Sequence, residues 1–215
     1  MRMASSDWPQ IALGEILTER TEVPEPSLLE SGAIPIVSKI RFSDGKIELR
    51  SETATKTKMI LIRPGDLVLS GINAMKGAIA IYAPEMPTPA AATIHYAAYQ
   101  MHEERVNIRY IWWLLRSSFF RDVLQQQVPQ GIKTELKAAR LLPVVIPLPP
   151  LDEQQRIVAR IEAVTDKVLE ASSLQKVARR EADGLILAVI AKALSPYQAR
   201  TTIKRCLREP LRLGL

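Results

Sequence analysis

Three short polar stretches combine long hydrogen-bonding side chains with a backbone that can lie close to a ligand. The first is Ser38-Lys39-Ile40-Arg41-Phe42-Ser43, followed by Lys46. The second is Ser70-Gly71-Ile72-Asn73-Ala74-Met75-Lys76-Gly77, and the third is Gln130-Gly131-Ile132-Lys133-Thr134. Arg and Lys match the acceptor edge of guanine, and Asn and Gln match the paired donor and acceptor of adenine. Glycine leaves room for backbone beside a phosphate. The candidate DNA contacts are therefore Lys39, Arg41, Lys46, Ser70, Asn73, Lys76, Gln130, Lys133 and Thr134. Side-chain geometry suits Asn73 and Gln130 to adenine and Arg41 to guanine. Taken singly, a surface lysine beside a glycine is an ordinary solvated loop.

The residues of a catalytic centre are not apparent. The glycines from Gly71 to Gly77 lack the lysine–hydroxyl ending of a nucleotide-binding P-loop, and no G-x-G-x-x-G follows a strand. No Asn-Pro-Pro-aromatic string of the kind amino-methyltransferases use is present. His95 and His102 have no Cys or carboxylate partners at metal-ligand spacing, and His95 reads as a structural residue inside a strand. Asp66 follows a Pro-Gly turn and reads as turn geometry. No catalytic residue, metal or cofactor is expected. Cys206 is the only cysteine, so no disulfide forms within one chain. With no apolar run long enough to span a bilayer and no apolar leader after Met1, a cytoplasmic protein is expected. The net charge is +6, but five basic residues stand against Glu209 alone after Ser195, whereas the long helical stretch is balanced. Bulk charge thus says little about the part that carries the three stretches.

The elements that must position these stretches are many and short. Trp8 to Leu17 reads as an opening strand and a helical turn, and Thr18 to Gly32, with Pro24 and Pro26, as a loop. Strands are expected around Ile34 to Val37, on both sides of the turn Ser43-Asp44-Gly45-Lys46, and over 57–62, 67–70 and 78–82. Ala91 to Met101 reads as one further strand. Val106 to Val128 has apolar residues at helical spacing and reads as one helix, and Thr134 to Leu141 as a short helix capped by Thr134. An apolar strand, Leu142 to Pro150, closes this α+β domain of short mixed strands with flanking helices.

Pro149 and Pro150 force a boundary, and a long helix follows. Asp152 is the expected N-cap, with Gln155 completing a capping box. Ile157, Ile161, Val164, Val168, Ala171, Ala178, Ala182, Leu185 and Val189 recur at alternating spacings of four and three, with Gln175 in the same seam. This heptad pattern, carried over roughly 60 Å at ~1.5 Å per residue, asks for a second long helix. The expected organisation is a globular domain over 1–150, a spacer and dimerisation helix over 151–194, and a basic tail over 195–215.

The junction Ile146-Pro147-Leu148-Pro149-Pro150-Leu151-Asp152-Glu153-Gln154-Gln155-Arg156-Ile157-Val158 resembles the end of a target recognition domain in the DNA-specificity subunits of type I restriction–modification systems. Leu13-Gly14-Glu15-Ile16 after Trp8 is similar to that family's opening, Arg63 to Gly77 to its central segment, and Gln130-Gly131 to its last. The resemblance implies a non-catalytic subunit whose loops read double-stranded DNA, with methylation and cleavage supplied by methyltransferase and restriction/translocase subunits. It also implies two fused domains whose helices pair antiparallel. Only one domain and one helix are present here, so a homodimer through the long helix is expected. The alternative is a truncated form acting as a coiled-coil interaction or scaffold protein. No membrane partner is expected.

Overall fold

The computed structural model describes residues 8–50, 57–102, 104–128 and 135–198, and of 196–198 the backbone only. Gln130, Lys133, Thr134 and most of the basic tail lie outside the described residues. The described elements are β1 (Gln10–Ala12), β2 (Leu17–Glu19), α1 (Pro26–Glu30), β3 (Ile36–Ile40), β4 (Ile47–Arg50), β5 (Met59–Ile62), β6 (Leu67–Ser70), β7 (Ile79–Ile81), β8 (Ala90–Thr93), β9 (Tyr96–Met101), α2 (Ile108–Arg116), α3 (Ser118–Gln127), α4 (Ala138–Leu141), β10 (Val145–Pro147) and α5 (Leu151–Gln198). The fold is α+β with a long C-terminal helix.

One antiparallel sheet has the order β2-β9-β6-β7, and a second, mixed sheet the order β4-β3-β8-β5. β1 pairs with β10, so the opening strand and the last strand before α5 close on each other. The period-2 alternation of each strand sorts side chains into layers. Val68, Ala80 and Ala98 of the first sheet meet Val37, Ile40, Ile62, Ala90 and Ala92 of the second. On the first sheet's other face, Leu67, Leu69, Ile79 and Tyr99 pack with Ile111, Trp112, Leu115 and Phe120 of α2 and α3. On the second sheet's other face, Ile36, Met59, Leu61 and Ala91 pack with Leu28 and Leu29 of α1. All four residues of β6 are buried because the strand has a packed layer on each side. This explains its unbroken apolar run.

Four local expectations are corrected. Pro24 and Pro26 do not make the whole stretch a loop: Pro26 occupies the first turn of α1, where a missing N–H costs nothing. Ala91 to Met101 is two strands in two different sheets, separated by a turn at Ile94 and His95. Gly71 N–H donates to His95 O (2.8 Å) and Ile94 N–H to Lys58 O (3.2 Å), so tertiary contacts hold a turn that no Gly or Pro announces. Val106 to Val128 is two helices, because Ser117 leaves the helical conformation and its Oγ accepts from Phe120 N–H at 3.1 Å, capping α3.

The fourth correction concerns the start of α5. The helix begins at Leu151, with Pro150 O accepting from the N–H groups of Glu153 and Gln154, both at 3.0 Å. Asp152 is therefore inside the first turn, 3.6 Å from Arg156, and not the cap. Fully buried Gln154 is the residue the junction is built around. Its Oε1 accepts from Asn107 N–H (2.8 Å), and its Nε2 donates to Pro149 O (2.8 Å) and Arg105 O (3.2 Å). Residues through Arg160 form one compact unit, and those from Ile161 a second. No helix among the described residues is long and apolar enough to cross a membrane.

Candidate nucleic-acid interface

The first two polar stretches meet. Lys39, Arg41, Ser70 and Asn73 line one cleft of about 460 Å³ together with Phe42, Ser43 and Tyr96. Lys39 and Arg41 come from the end of β3 and the turn after it, and Ser70 and Asn73 from the end of β6 and the loop beyond. The Asn73 side chain makes no cap bond to the short turn it precedes. Phe42 is half exposed beside it. Burial raises the Tyr96 phenol above its ordinary pKa, so it stays protonated and able to donate.

The cations are held near their positions by acids rather than neutralised out of reach. Lys39 Nζ is 3.2 Å from Glu48, both well exposed, and Arg41 pairs with Asp44 within the turn. Desolvation opposes ionisation of Asp44, but the Lys46 N–H and the Arg41 guanidinium prevail and hold its pKa below the usual carboxylate value. Lys76 places its ammonium 6.0 Å from the centre of the Phe42 ring, so the second loop reaches over the first. Lys46 is not brought into this cleft. It lines a separate concavity of about 390 Å³ with Ile47, Tyr82, Met86, Arg109 and Trp112.

Arg116, at the end of α2, is a feature the sequence pattern does not mark. Its Nη1 donates to Gly77 O (2.6 Å) and Ile79 O (3.2 Å), and its Nη2 to Phe42 O (3.1 Å) and Ser43 O (3.0 Å). Its guanidinium lies 4.6 Å from the Trp112 ring, whose Nε1–H donates to the same Ile79 O at 2.9 Å. Desolvation lowers the Arg116 pKa from its ordinary value and Asp44 opposes the shift; an arginine stays charged throughout. Two glycines make room for this arrangement. Gly45 has φ +66°, and a Cβ there would fall 2.5 Å from Ile79 O and 2.6 Å from Arg116 Nη1. Gly77 has φ +92°, with Phe42 O 3.1 Å from where a Cβ would sit. The only sequence signal was the pair of turn glycines; their common neighbour is sequence-distant.

Glu135 follows the third stretch directly and packs against Gly71, and Leu136 N–H donates to Gly71 O at 2.9 Å. Glu135 also lies 3.3 Å from His95 Nδ1 and 3.4 Å from Lys137 Nζ. His95 is thus half exposed in a turn beside the second loop, not inside a strand. Asp66 has a structural place: nearly buried, it accepts two bonds from the Arg20 guanidinium (2.7 and 2.8 Å) and one from Arg63 N–H (2.8 Å). No group of three His, Cys, Asp or Glu among the described residues could hold a metal ion.

In α5, Ile157 packs against the core of its own unit. Ile161 is half-buried, and the remaining seam residues are exposed: Val164, Val168, Ala171, Ala178, Ala182, Leu185 and Val189. Leu185 to Leu194 is apolar on nearly every side, interrupted only by Lys192.

Residues 5–179 match the family profile described as the type I restriction modification DNA specificity domain. No curated protein matches the chain in sequence. Among solved structures, the chain is similar to the HsdS subunit from Thermoanaerobacter tengcongensis, with 23% identity and a TM-score of 0.68 over 87% of this chain and 49% of that one. It is also similar to a chain in a structure concerned with complex assembly and conformational transition of the type I R-M system, with 24% identity and a TM-score of 0.69 over 86% of this chain and 49% of that one. The chain spans about half the length of these solved chains. With four-fifths of its sequence under one family profile and the fold shared with such a subunit, the chain belongs to the type I restriction modification DNA specificity domain family.

Proposed function

We propose that this protein reads a DNA sequence as a specificity subunit of a type I restriction–modification system and takes no part in the chemistry. Methyltransferase and restriction/translocase subunits would act on the DNA it selects. The observation that supports this reading best is the joining of two sequence-distant loops at one cleft, where Lys39, Arg41 and Asn73 can face a single ligand. Arg41 and Asn73 are the base-reading candidates; Lys39 and Lys76 supply phosphate attraction. Gln130, Lys133 and Thr134 belong to the same proposal on sequence grounds alone, and Lys46 contributes at most from outside the cleft. A domain boundary near residue 150 and a cytoplasmic location are part of the same reading.

The exposed apolar residues of α5 support pairing with a second long helix, for which we propose a second copy of the chain. Two-fold symmetry would then ask for a symmetric target of two inverted half-sites. Sequence selection on randomised duplexes tests the reading, and an enriched motif is the expected result. A protein that dimerises through α5 and enriches no motif would be the coiled-coil interaction protein that the same exposed stripe would also suit.

A further inference from the structure

Accepting that the cleft reads DNA, we infer that Arg116 is a positioning residue for sequence recognition: it locks the turn after β3 and the loop after β6 at one spacing, so that the two loops read as a unit. The two loops belong to different sheets, and a flexible pair would present Arg41 and Asn73 at varying separation. Arg116 removes that freedom by donating to carbonyl oxygens on both, Phe42 and Ser43 on one side and Gly77 on the other. Its Nη donors are directed at protein oxygens and its guanidinium lies over the Trp112 ring, so they are spent on the protein and not on a phosphate. The fit is tight at Gly45, where a Cβ would fall 2.6 Å from Arg116 Nη1, and close at Gly77, where it would meet Phe42 O at 3.1 Å. Lys76 over Phe42 adds a third, weaker join between the same loops.

A lysine at this position keeps the charge but cannot span four carbonyls from a fixed plane. Arg116→Met and Arg116→Lys therefore separate bridging from charge. The first measurement is hydrogen exchange of the free proteins. Faster exchange in residues 41–46 and 72–78, with the sheet cores unchanged, is expected for Arg116→Met, and a smaller rise for Arg116→Lys. Exchange indistinguishable from wild type in both loops would overturn the inference without any DNA being present. The second is affinity for the duplex enriched by selection and for singly substituted duplexes, across a salt series. Discrimination should fall at least tenfold in Arg116→Met and less in Arg116→Lys, while the slope of log affinity against log salt stays that of wild type. Unchanged discrimination would overturn the inference, as would a slope reduced by about 0.9, the mark of a side chain that neutralises a phosphate. If Arg116→Met does not fold, Arg116→Lys carries both measurements. A wild-type protein that enriches no duplex would refute the DNA reading, and the exchange result would still decide whether Arg116 joins the loops.

Discussion

Replacing Gln154 should destabilise the globular unit more than any exposed residue of α5. The side chain is 0% exposed and makes three hydrogen bonds, one accepted from Asn107 N–H and two donated to Pro149 O and Arg105 O. Asn107 also caps α2, through Oδ1 to Arg109 N–H at 2.9 Å, so Gln154 ties the first turn of α5 to the start of the helical layer. Gln154→Ala removes all three bonds and leaves their partners facing a small void. At about 1 kcal/mol net per bond, and more where a buried group is left unpaired, the loss should be about 3 kcal/mol. For a chain of this size that lowers the melting temperature by roughly 6–12 °C. Gln154→Glu keeps the shape and the acceptor but offers two carbonyl oxygens no proton when ionised. Its buried carboxyl should have a pKa raised above the unfolded value, so the variant should lie nearest wild type below about pH 4 and lose stability as pH rises. Urea unfolding followed by tryptophan fluorescence between pH 4 and 8 measures both variants. A loss below about 1 kcal/mol for Gln154→Ala, or a Gln154→Glu deficit that shrinks as pH rises, would refute this account of the junction.

Gly45→Ala should cost at least about 2 kcal/mol, from left-handed strain plus the clash with Ile79 O; Gly65→Ala, equally left-handed but with nothing within 4 Å, should cost only about 1 in the same thermal unfolding assay. Lys39→Ala and Lys76→Ala should each flatten the salt dependence of DNA affinity by about 0.9 for each phosphate no longer neutralised, whereas slopes matching wild type in both would remove these lysines from the interface. Val164→Asp or Leu185→Asp should reduce self-association in sedimentation at micromolar concentration, and a wild-type monomer under those conditions would contradict helix pairing. Ala98→Val, in the inter-sheet layer, should cost about 1–3 kcal/mol by overpacking and also weaken sequence discrimination, although it lies on neither of the two proposed recognition loops.

Much of the fold was legible because each strand carries its burial pattern locally. Leu67-Val68-Leu69-Ser70 read as a buried strand and is one, and the Asp44-Gly45 turn announced its hairpin. The errors fell where a tertiary contact replaces a local signal. The β8–β9 turn has neither Gly nor Pro and is held by Lys58 O and Gly71 N–H, both contributed from elsewhere. Ser117 breaks the helix with a single residue, so the apolar phase runs on almost undisturbed and hides the interruption. At the junction the pattern Asp152 to Gln155 had the form of a capping box, but Pro150 already provided the first carbonyl. The neighbouring Gln154 was taken by bonds to residues nearly fifty positions away. For the site, residue type singled out Lys39, Arg41, Ser70 and Asn73, of which Lys39 and Ser70 stand at the ends of β3 and β6 and the other two in the turns beyond. That they share a cleft while Lys46 faces another follows from strand register, which composition does not encode.

The cleft lies between two walls that belong to different sheets. One wall rises from the mixed sheet, at Lys39 to Ser43, and the other from the antiparallel sheet, at Ser70 and Asn73. Their separation is therefore tied to the distance between the two sheets. Alanine dominates the layer between them, with Ala78, Ala80, Ala90, Ala92 and Ala98 all buried there, and Ala78 also forms part of the cleft. Facing sheets usually pack about 10 Å apart, and that spacing follows the size of the side chains between them. At the rim, Arg116 bonds to carbonyls on both walls. The proposed base contacts, Arg41 and Asn73, belong to neither the alanine layer nor the arginine bridge. The proposed recognition by Arg41 and Asn73 and the packing of the inter-sheet core thus draw on different residues, joined at the rim where the carbonyls of Phe42, Ser43, Gly77 and Ile79 accept the bonds of Arg116 and Trp112.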